Sequence, residues 1–360
     1  MTSETINQIK TAQMNQLADY RQTLYTKPKL DQLFFELTLQ CNEHCFHCGS
    51  RCDSQSASGL PLAKYKEILD EVKENFDISH MQLCITGGEP LLYPDFFELM
   101  AYAHKSGYRW GMTSNGTLIT KDVARKLKEC GMGTISISID GLEKTHDRLR
   151  GLKGGYQKAM EGIQNLIAED AFHSIMVTTV FNHENLNELE PLYDIFDKID
   201  IDEWRIAGLE PIGRALDYPH LMLTTEDYRK LFTFIKEKRA AQIPVTYGCS
   251  HFVGIEYEAD VRDWYFLCNA GVYVASIMAN GDIGACLDID RNSRTIQGNV
   301  YQDHFTDVWK NRFELFRQPL SNLNATCKEC EYEKWCAGGA HHSWDYTENR
   351  QMICFRNKLF

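Results

Sequence analysis

Residues 33–48 read LFFELTLQCNEHCFHC. A seven-residue strand-like run, 33–39, leads directly into Cys41, Cys45 and Cys48, spaced C-x3-C-x2-C. Further along, strand-like runs recur at 81–86 (MQLCIT), 109–113 (RWGMT), 133–139 (GTISISI), 175–181 (IMVTTVF) and 203–208 (EWRIAG). Amphipathic helices are expected between them, at about 61–75, 95–106, 120–130, 155–168 and 185–199. The first of these carries Pro61 at its start, where a missing N–H costs nothing. Six β/α alternations with apolar strands predict an α/β fold: a parallel sheet covered by helices, either open or an incomplete barrel. The functional loops of such folds lie at the C-terminal ends of the strands, which is where the three cysteines sit.

Three thiolates so closely spaced suit zinc or an iron–sulfur cluster. A structural zinc site wants four closed ligands, and His44 or His47 is available to complete one. On a [4Fe–4S] cluster, three thiolates would leave one iron open to a small molecule. The fourth strand alternates Ser136, Ser138 and Asp140 with isoleucines, so the three polar groups share one face. That face lines a barrel lumen or is an ordinary solvent face.

Composition narrows the field. The chain has 360 residues, 38 basic and 50 acidic, for a net charge of −12. That balance argues against a nucleic-acid or anionic-membrane binder. No apolar run is long enough to span a membrane, and the polar start MTSETINQIK is unlike a signal peptide, so a cytoplasmic protein is expected. Thirteen cysteines, an odd number in a reducing compartment, point to metal chemistry rather than disulfides.

Residues 1–30 are expected to form a helical segment, with a stripe of Ile6, Ile9, Met14, Leu17, Tyr20 and Leu24. The barrel is expected over 31–240, its last helix at about 224–240. A cysteine-rich module is expected over 241–360, with a hairpin of 271–278 and 283–287 around Asn280-Gly281.

CNEHCFHC resembles the signature of the radical S-adenosylmethionine (SAM) superfamily, with His47 as the aromatic residue before the third cysteine. Other segments follow in that family's order. Gly87-Gly88-Glu89-Pro90 is similar to its GGE motif, Ser114-Asn115 lies in a TNG-type segment, and HDRLRGLKGGY resembles a stretch common in the branch discussed next. The resemblance implies a partial (β/α)6 TIM-like barrel and a [4Fe–4S] cluster held by Cys41, Cys45 and Cys48. It implies SAM contacts from His47, Gly87, Gly88, Glu89, Ser114, Asn115, Ser136, Ser138, Asp140 and Arg150, with Arg148 a lesser alternative. A carboxylate at Glu89 suits the SAM ammonium, and a guanidinium at Arg150 suits its carboxylate.

The tail carries Cys327, Cys330 and Cys336 as C-x2-C-x5-C, then Cys354; upstream lie Cys268 and Cys286. This is similar to the SPASM (or twitch) module, an auxiliary iron–sulfur domain of radical SAM enzymes that modify peptides and proteins. A zinc site of four thiolates is the competing reading of the tail. The resemblance implies one or two auxiliary [4Fe–4S] clusters, the outer on Cys327, Cys330, Cys336 and Cys354. The inner one keeps Cys268 and Cys286, but its usual third cysteine is replaced by Ala340. Cys249, His341 or His342 is available as a substitute ligand; otherwise the inner cluster is absent. Cys52, Cys84 and Cys130 belong to no motif, and His80, His104 and His183 are expected to be surface or packed residues.

The implied function is oxidative modification of a peptide, by thioether or carbon–carbon crosslinking or a related step, in ribosomal natural-product maturation. Implied partners are a peptide substrate and a reductase such as flavodoxin or ferredoxin; since 30 residues are too few for a built-in module, leader recognition is expected to use a separate protein or to be absent. Alternatives are a sulfatase maturase-like Cys/Ser oxidase and a haem- or quinone-cofactor maturase, a branch that PIGRA at 211–215 resembles. A non-catalytic iron–sulfur electron carrier and a zinc-stabilised binding module need neither GGEP nor a polar barrel face. Asp288 is the candidate base, against a plain turn carboxylate in LDIDRN.

Overall fold

The computed structural model describes residues 3–239, 241, 243–248 and 251–360, so Cys249 lies outside the described residues. Six parallel strands form as the pattern predicts: β1 (Gln32–Glu36), β2 (Gln82–Thr86), β3 (Arg109–Ser114), β4 (Met132–Ser138), β5 (Ser174–Phe181) and β6 (Glu203–Gly208). They pair in chain order, β1 to β6. Leu33, Phe35, Leu83, Ile135, Ile137 and Ile206 are completely buried and belong to the core of the sheet.

The first helix, α1 (Ser3–Thr26), buries Met14, Ala18, Arg21 and Leu24. Ile9 and Tyr20 from the expected stripe are exposed, because the contacting face is set by the docking angle and includes a cation. Helices α2 (Leu62–Asn75), α3 (Phe96–Lys105) and α4 (Lys121–Glu129) cover the sheet between β1 and β4. The next helix, α5 (Glu143–Arg150), falls outside the expected set; it is short, polar and closed by Gly151 at φ 67°. Helix α6 (Gly155–Ala168) follows. The helix expected at 185–199 is a 3₁₀ turn at Leu186–Glu188 and then α7 (Leu189–Phe196). Pro191 is tolerated there because it lies in the first turn of α7. Helix α8 (Thr225–Lys238) starts on a capping box between Thr224 and Asp227.

Residues beyond 241 contribute to both edges of this sheet. Strand β7 (Val245–Tyr247) pairs parallel with β6, followed by α9 (Ile255–Val261). Strand β8 (Val274–Ile277) pairs parallel with β1, Leu33 opposite Ala275. The expected hairpin turns at Asn280-Gly281 into antiparallel β9 (Asp282–Gly284), with Gly281 at φ 89°. Strand β10 (Gly298–Asn299) and helix α10 (Phe305–Asn311) complete this edge, giving ten strands in the order β10-β9-β8-β1-β2-β3-β4-β5-β6-β7. No described helix is long and apolar enough to cross a membrane.

Candidate active site

The cysteine loop leaves β1 and lies across the C-terminal ends of the strands, tied down at several points. The Cys41 N–H donates to Asp53 O, His44 N–H to Arg150 O and Phe46 N–H to Leu149 O. The three thiols are close enough to influence one another's ionisation. The N–H of Glu43 donates to Cys41 Sγ (3.5 Å) and that of Cys52 to Cys48 Sγ (3.2 Å). Burial pushes the Cys41 thiol up to about 12 and Cys45 well above the ordinary thiol range. Hydrogen bonding from Cys52, outweighing burial, brings Cys48 down to about 6.

The GGEP segment packs on this loop. The Gly88 N–H donates to Thr38 O (2.6 Å) and the Glu89 N–H to Gln40 O (2.8 Å). A Cβ at Gly87 would lie 2.5 Å from Thr38 O, and one at Gly88 2.1 Å from Gln40 O. The close approach that requires these glycines is therefore to the chain entering the cysteine loop. Glu89 is fully buried and points at the end of β3, accepting from Ser114 Oγ (3.0 Å), Asn115 N–H (2.9 Å) and Leu91 N–H (3.3 Å). Burial outweighs these bonds and raises its carboxyl to about 7. Asn115 in turn donates to Asn42 Oδ1 (2.8 Å). Glu89, Ser114 and Asn115 are thus brought together, with the glutamate held by protein donors.

A second polar cluster follows β4. Asp140 Oδ2 accepts from Arg150 Nε (2.7 Å) and lies 3.1 Å from His47 Nε2, while Oδ1 accepts from Val180 N–H (2.8 Å). The other side of the Arg150 guanidinium donates to Glu43 (3.0 Å). Burial would raise Asp140, but Arg150 and His47 hold it well below the usual carboxylate range. Glu43 moves up because burial outweighs Arg150. His146, whose Nδ1 accepts from the Asp140 N–H, is brought down to about 4 by burial and by Arg150. Ser136 hydrogen-bonds Thr178 across to β5 (2.6 Å), and Ser138 is half-buried at the strand end. Arg148 is apart from this cluster, paired with Glu184.

Sequence reasoning missed Glu43, His146 and Arg214. Glu43 is visible within CNEHC, yet nothing local marks it as the partner of an arginine 107 residues away. Arg214 lies in PIGRA, and its contacts depend wholly on tertiary structure.

A cavity of about 950 Å³ opens beside the cysteine loop, lined there by His47, Gly49, Ile212 and Asp288. It extends along β6 and β7 to Leu17, Tyr20 and Trp264, the last 80% exposed. Asp288 faces the loop at Gly49. Glu210 also lines the cavity; its carboxylate lies 2.7 Å from fully buried His251 and 3.9 Å from His342.

In the tail, Cys327, Cys330, Cys336 and Cys354 lie near enough to couple electrostatically, and burial raises Cys336 to about 12. Cys268 shares a small cavity with Arg21, Tyr25, Cys336 and His341. Cys286 follows β9 at the start of the LDIDRN turn. Ala340 is completely buried against Met14, Phe252 and Phe266. His341 is bonded to Tyr346 (2.5 Å), and His342 faces the large cavity. Cys84 and Cys130 pack in or beside the barrel core.

Three thiols at the mouth of a parallel α/β sheet, beside a large cavity, have the donor set of an enzyme with an iron–sulfur site at the barrel mouth. The residues fit a cluster by donor chemistry and by the N–H···S bonds at Cys41 and Cys48. His47 Nδ1, buried and without a hydrogen-bond partner, leaves a polar position open beside it. Among the described residues, no three His, Cys, Asp or Glu side chains are gathered for a single metal ion.

Comparison with known proteins agrees. The family model of the radical SAM superfamily matches residues 35–196, and that of the SPASM iron–sulfur cluster-binding domain matches 268–331. The mycofactocin maturase MftC of Mycobacterium ulcerans is 31% identical over 314 residues, covering 85% of this chain and 82% of the relative. The AdoMet-dependent heme synthase of Methanosarcina barkeri is 28% identical over 345 residues, covering 89% and 95%. SuiB of Streptococcus suis, solved with S-adenosylmethionine, shares the fold at TM-score 0.72 and 19% identity, over 91% of this chain and 77% of that one. The chain belongs to the radical SAM superfamily and carries a SPASM domain; it is an oxidoreductase-type enzyme that uses SAM and iron–sulfur clusters.

Proposed function

We propose that this enzyme oxidatively modifies a peptide in ribosomal natural-product maturation. The observation that carries the reading is the cavity, which leads from the cysteine loop to an open flank where Trp264 is exposed. A chain-like substrate can enter there and reach the mouth of the barrel.

In this reading Cys41, Cys45 and Cys48 hold the SAM-binding cluster, and Cys327, Cys330, Cys336 and Cys354 the outer auxiliary one. Cys268 and Cys286 belong to an inner auxiliary site. Cluster and SAM, when bound, supply a 5′-deoxyadenosyl radical that takes a substrate hydrogen atom. The protein's own residues bind, orient and exclude water. His47, the 87–89 backbone, Ser114, Asn115, Ser136, Ser138, Asp140 and Arg150 form the SAM pocket and its supports. In the same reading Asp288, which faces Gly49, receives a substrate proton. The functional units are 1–30, 31–240 and 241–360, although the last two both contribute strands to the main sheet. A flavodoxin- or ferredoxin-type reductase and a separate leader-recognition protein complete the system. SuiB has been solved with its precursor peptide SuiA, which supports a peptide as the substrate class.

A haem-type substrate is the second reading, favoured by the 95% coverage of the heme synthase relative. The cavity lining weighs against it. Asp31, Glu203, Glu210, Asp263 and Asp288 line the space against two guanidiniums, Arg205 and Arg262. Such a lining disfavours a polycarboxylate tetrapyrrole.

The test is anaerobic reconstitution with iron and sulfide, then incubation with SAM, dithionite and synthetic peptides from neighbouring reading frames. The expected result is 5′-deoxyadenosine together with a peptide that has lost hydrogen. Iron-loaded protein that yields no 5′-deoxyadenosine overturns the reading; turnover of an iron porphyrin but of no peptide replaces it with the second.

A further inference from the structure

Arg214, in the PIGRA segment at 211–215, has no role in the function proposed above, yet it is bound into the cysteine loop. Arg214 is 5% exposed. Its N–H donates to Cys48 O (2.9 Å), its Nη1 to Cys45 O (2.6 Å) and its Nη2 to Cys52 O (2.7 Å). Gly213 makes this approach possible: its φ is 52°, and a Cβ there would lie 2.2 Å from Gly49 O and 2.4 Å from Cys48 O. Among the described residues no carboxylate lies within ion-pair distance of Arg214, and nearby Asp217 is taken by Arg51 (2.6 Å). Carbonyls accept two of the guanidinium's hydrogens but leave its charge uncompensated. A buried cation of this kind is costly unless an anion stands beside it.

The loop supplies that anion. Three thiolates on a [4Fe–4S]²⁺ core give a net charge of about −1, which becomes about −2 when one electron enters from the reductant. A fixed positive charge nearby stabilises the more negative, reduced state and raises the potential. Cys52, 3% exposed, adds to this. Its N–H reaches Cys48 Sγ at 3.2 Å, and its thiol lies beside the same sulfur. Donors to a ligating sulfur likewise favour the reduced state.

We propose that Arg214 and Cys52 are positioning residues that raise the reduction potential of the cluster on Cys41, Cys45 and Cys48. Arg214 acts as its buried counter-charge and Cys52 as a donor to one ligating sulfur. This rests on the cluster assignment above, which the same experiment checks separately.

The experiment is a redox titration of the full-length reconstituted enzyme, read by EPR. The cluster in question is identified as the one whose signal changes on adding SAM. Variants are Arg214→Met, Arg214→Lys, Cys52→Ala and Cys52→Ser, each checked for iron per chain. Arg214→Met should lower the reduced-to-oxidised ratio at fixed potential at least tenfold, about 59 mV for a one-electron couple. Arg214→Lys, which keeps the charge, should recover most of this. Cys52→Ala should shift the potential in the same direction by less, and Cys52→Ser should restore it. An unchanged potential in fully loaded Arg214→Met overturns the proposal, as does an equal shift in Arg214→Lys. If Arg214→Met fails to hold iron, an unshifted Cys52→Ala overturns it. Wild-type protein with no SAM-sensitive signal would instead refute the cluster assignment.

Discussion

The two cysteine-rich regions are built on different principles. The loop of Cys41, Cys45 and Cys48 sits among buried charged and polar groups: the linked Glu43, Asp140, Arg150 and His47, and separately Arg214, are all at or below about a tenth exposed at the side chain or residue. The tail of Cys327, Cys330, Cys336 and Cys354 is held by short helical turns and neutral packing, with Cys354 exposed. Its ion pairs, such as Lys328–Glu333 and Arg356–Glu331, lie at the surface. Four thiolates can close a site by themselves, whereas three leave a position for a ligand, and only that open site needs its surroundings to select and orient a charged molecule.

The widest separation between the regions should appear on removing thiols. Cys41→Ala/Cys45→Ala/Cys48→Ala should abolish 5′-deoxyadenosine formation and lower iron by about 4 per chain, a [4Fe–4S] complement. Replacing Cys327, Cys330, Cys336 and Cys354 should lower iron similarly but leave SAM cleavage measurable. Iron analysis with chromatographic detection of 5′-deoxyadenosine checks both. Loss of SAM cleavage in well-folded tail variants would break the comparison.

Next is the charge network itself. Arg150→Met strands Asp140 and Glu43 as buried carboxylates and should cost about 3–5 kcal/mol of apo-protein stability by urea unfolding. Adding Asp140→Asn should restore part of it. The sign with pH is set by the depressed Asp140 carboxyl: its contribution is present above the ordinary carboxylate range and lost only in stronger acid.

Glu89 has the opposite sign. Its carboxyl is raised to about 7, so between about pH 4.5 and 7 the folded protein holds a proton that the unfolded chain has released. Stability should therefore fall as pH rises through that window, by roughly 3 kcal/mol at about 1.4 kcal/mol per unit. Glu89→Gln should flatten the profile. Denaturation midpoints of both proteins at pH 5 and pH 8 give the measurement.

What was legible in the sequence follows the range of the forces involved. Cysteine spacing, strand periodicity and the Asn280-Gly281 turn are local, so the barrel strands and the hairpin emerge within a residue or three of their observed ends. Strand β8 beside β1 was not legible, because the pairing joins residues more than 240 apart and neither run encodes its neighbour. Arg150 stood out as a charge near the site, but its partners Asp140 and Glu43 approach only through the return of α5 onto the cysteine loop. Arg291, which donates to buried Glu36 and to Ser50, links the LDIDRN turn to β1 in the same hidden way.

The smallest effect tests whether the tail really depends so little on charge. Where α1 docks on it, two cations are available. Arg21 is buried and donates to the carbonyls of Trp335 (2.8 Å) and Lys334. Lys334 itself reaches Asp19 only at 4.0 Å, and both side chains are more than half exposed. Arg21→Met should cost about 1.5–3 kcal/mol, since it removes hydrogen bonds from a charged donor and leaves two part-buried carbonyls unpaired. Lys334→Met should change stability by no more than about 0.5 kcal/mol, because water and salt screen the exposed pair. Unfolding curves at low and high salt separate the two: the Arg21 effect should persist in salt. A salt-sensitive loss in Lys334→Met comparable to that of Arg21→Met would mean that surface charge holds the tail after all, and the contrast with the barrel loop would then be one of depth rather than of kind.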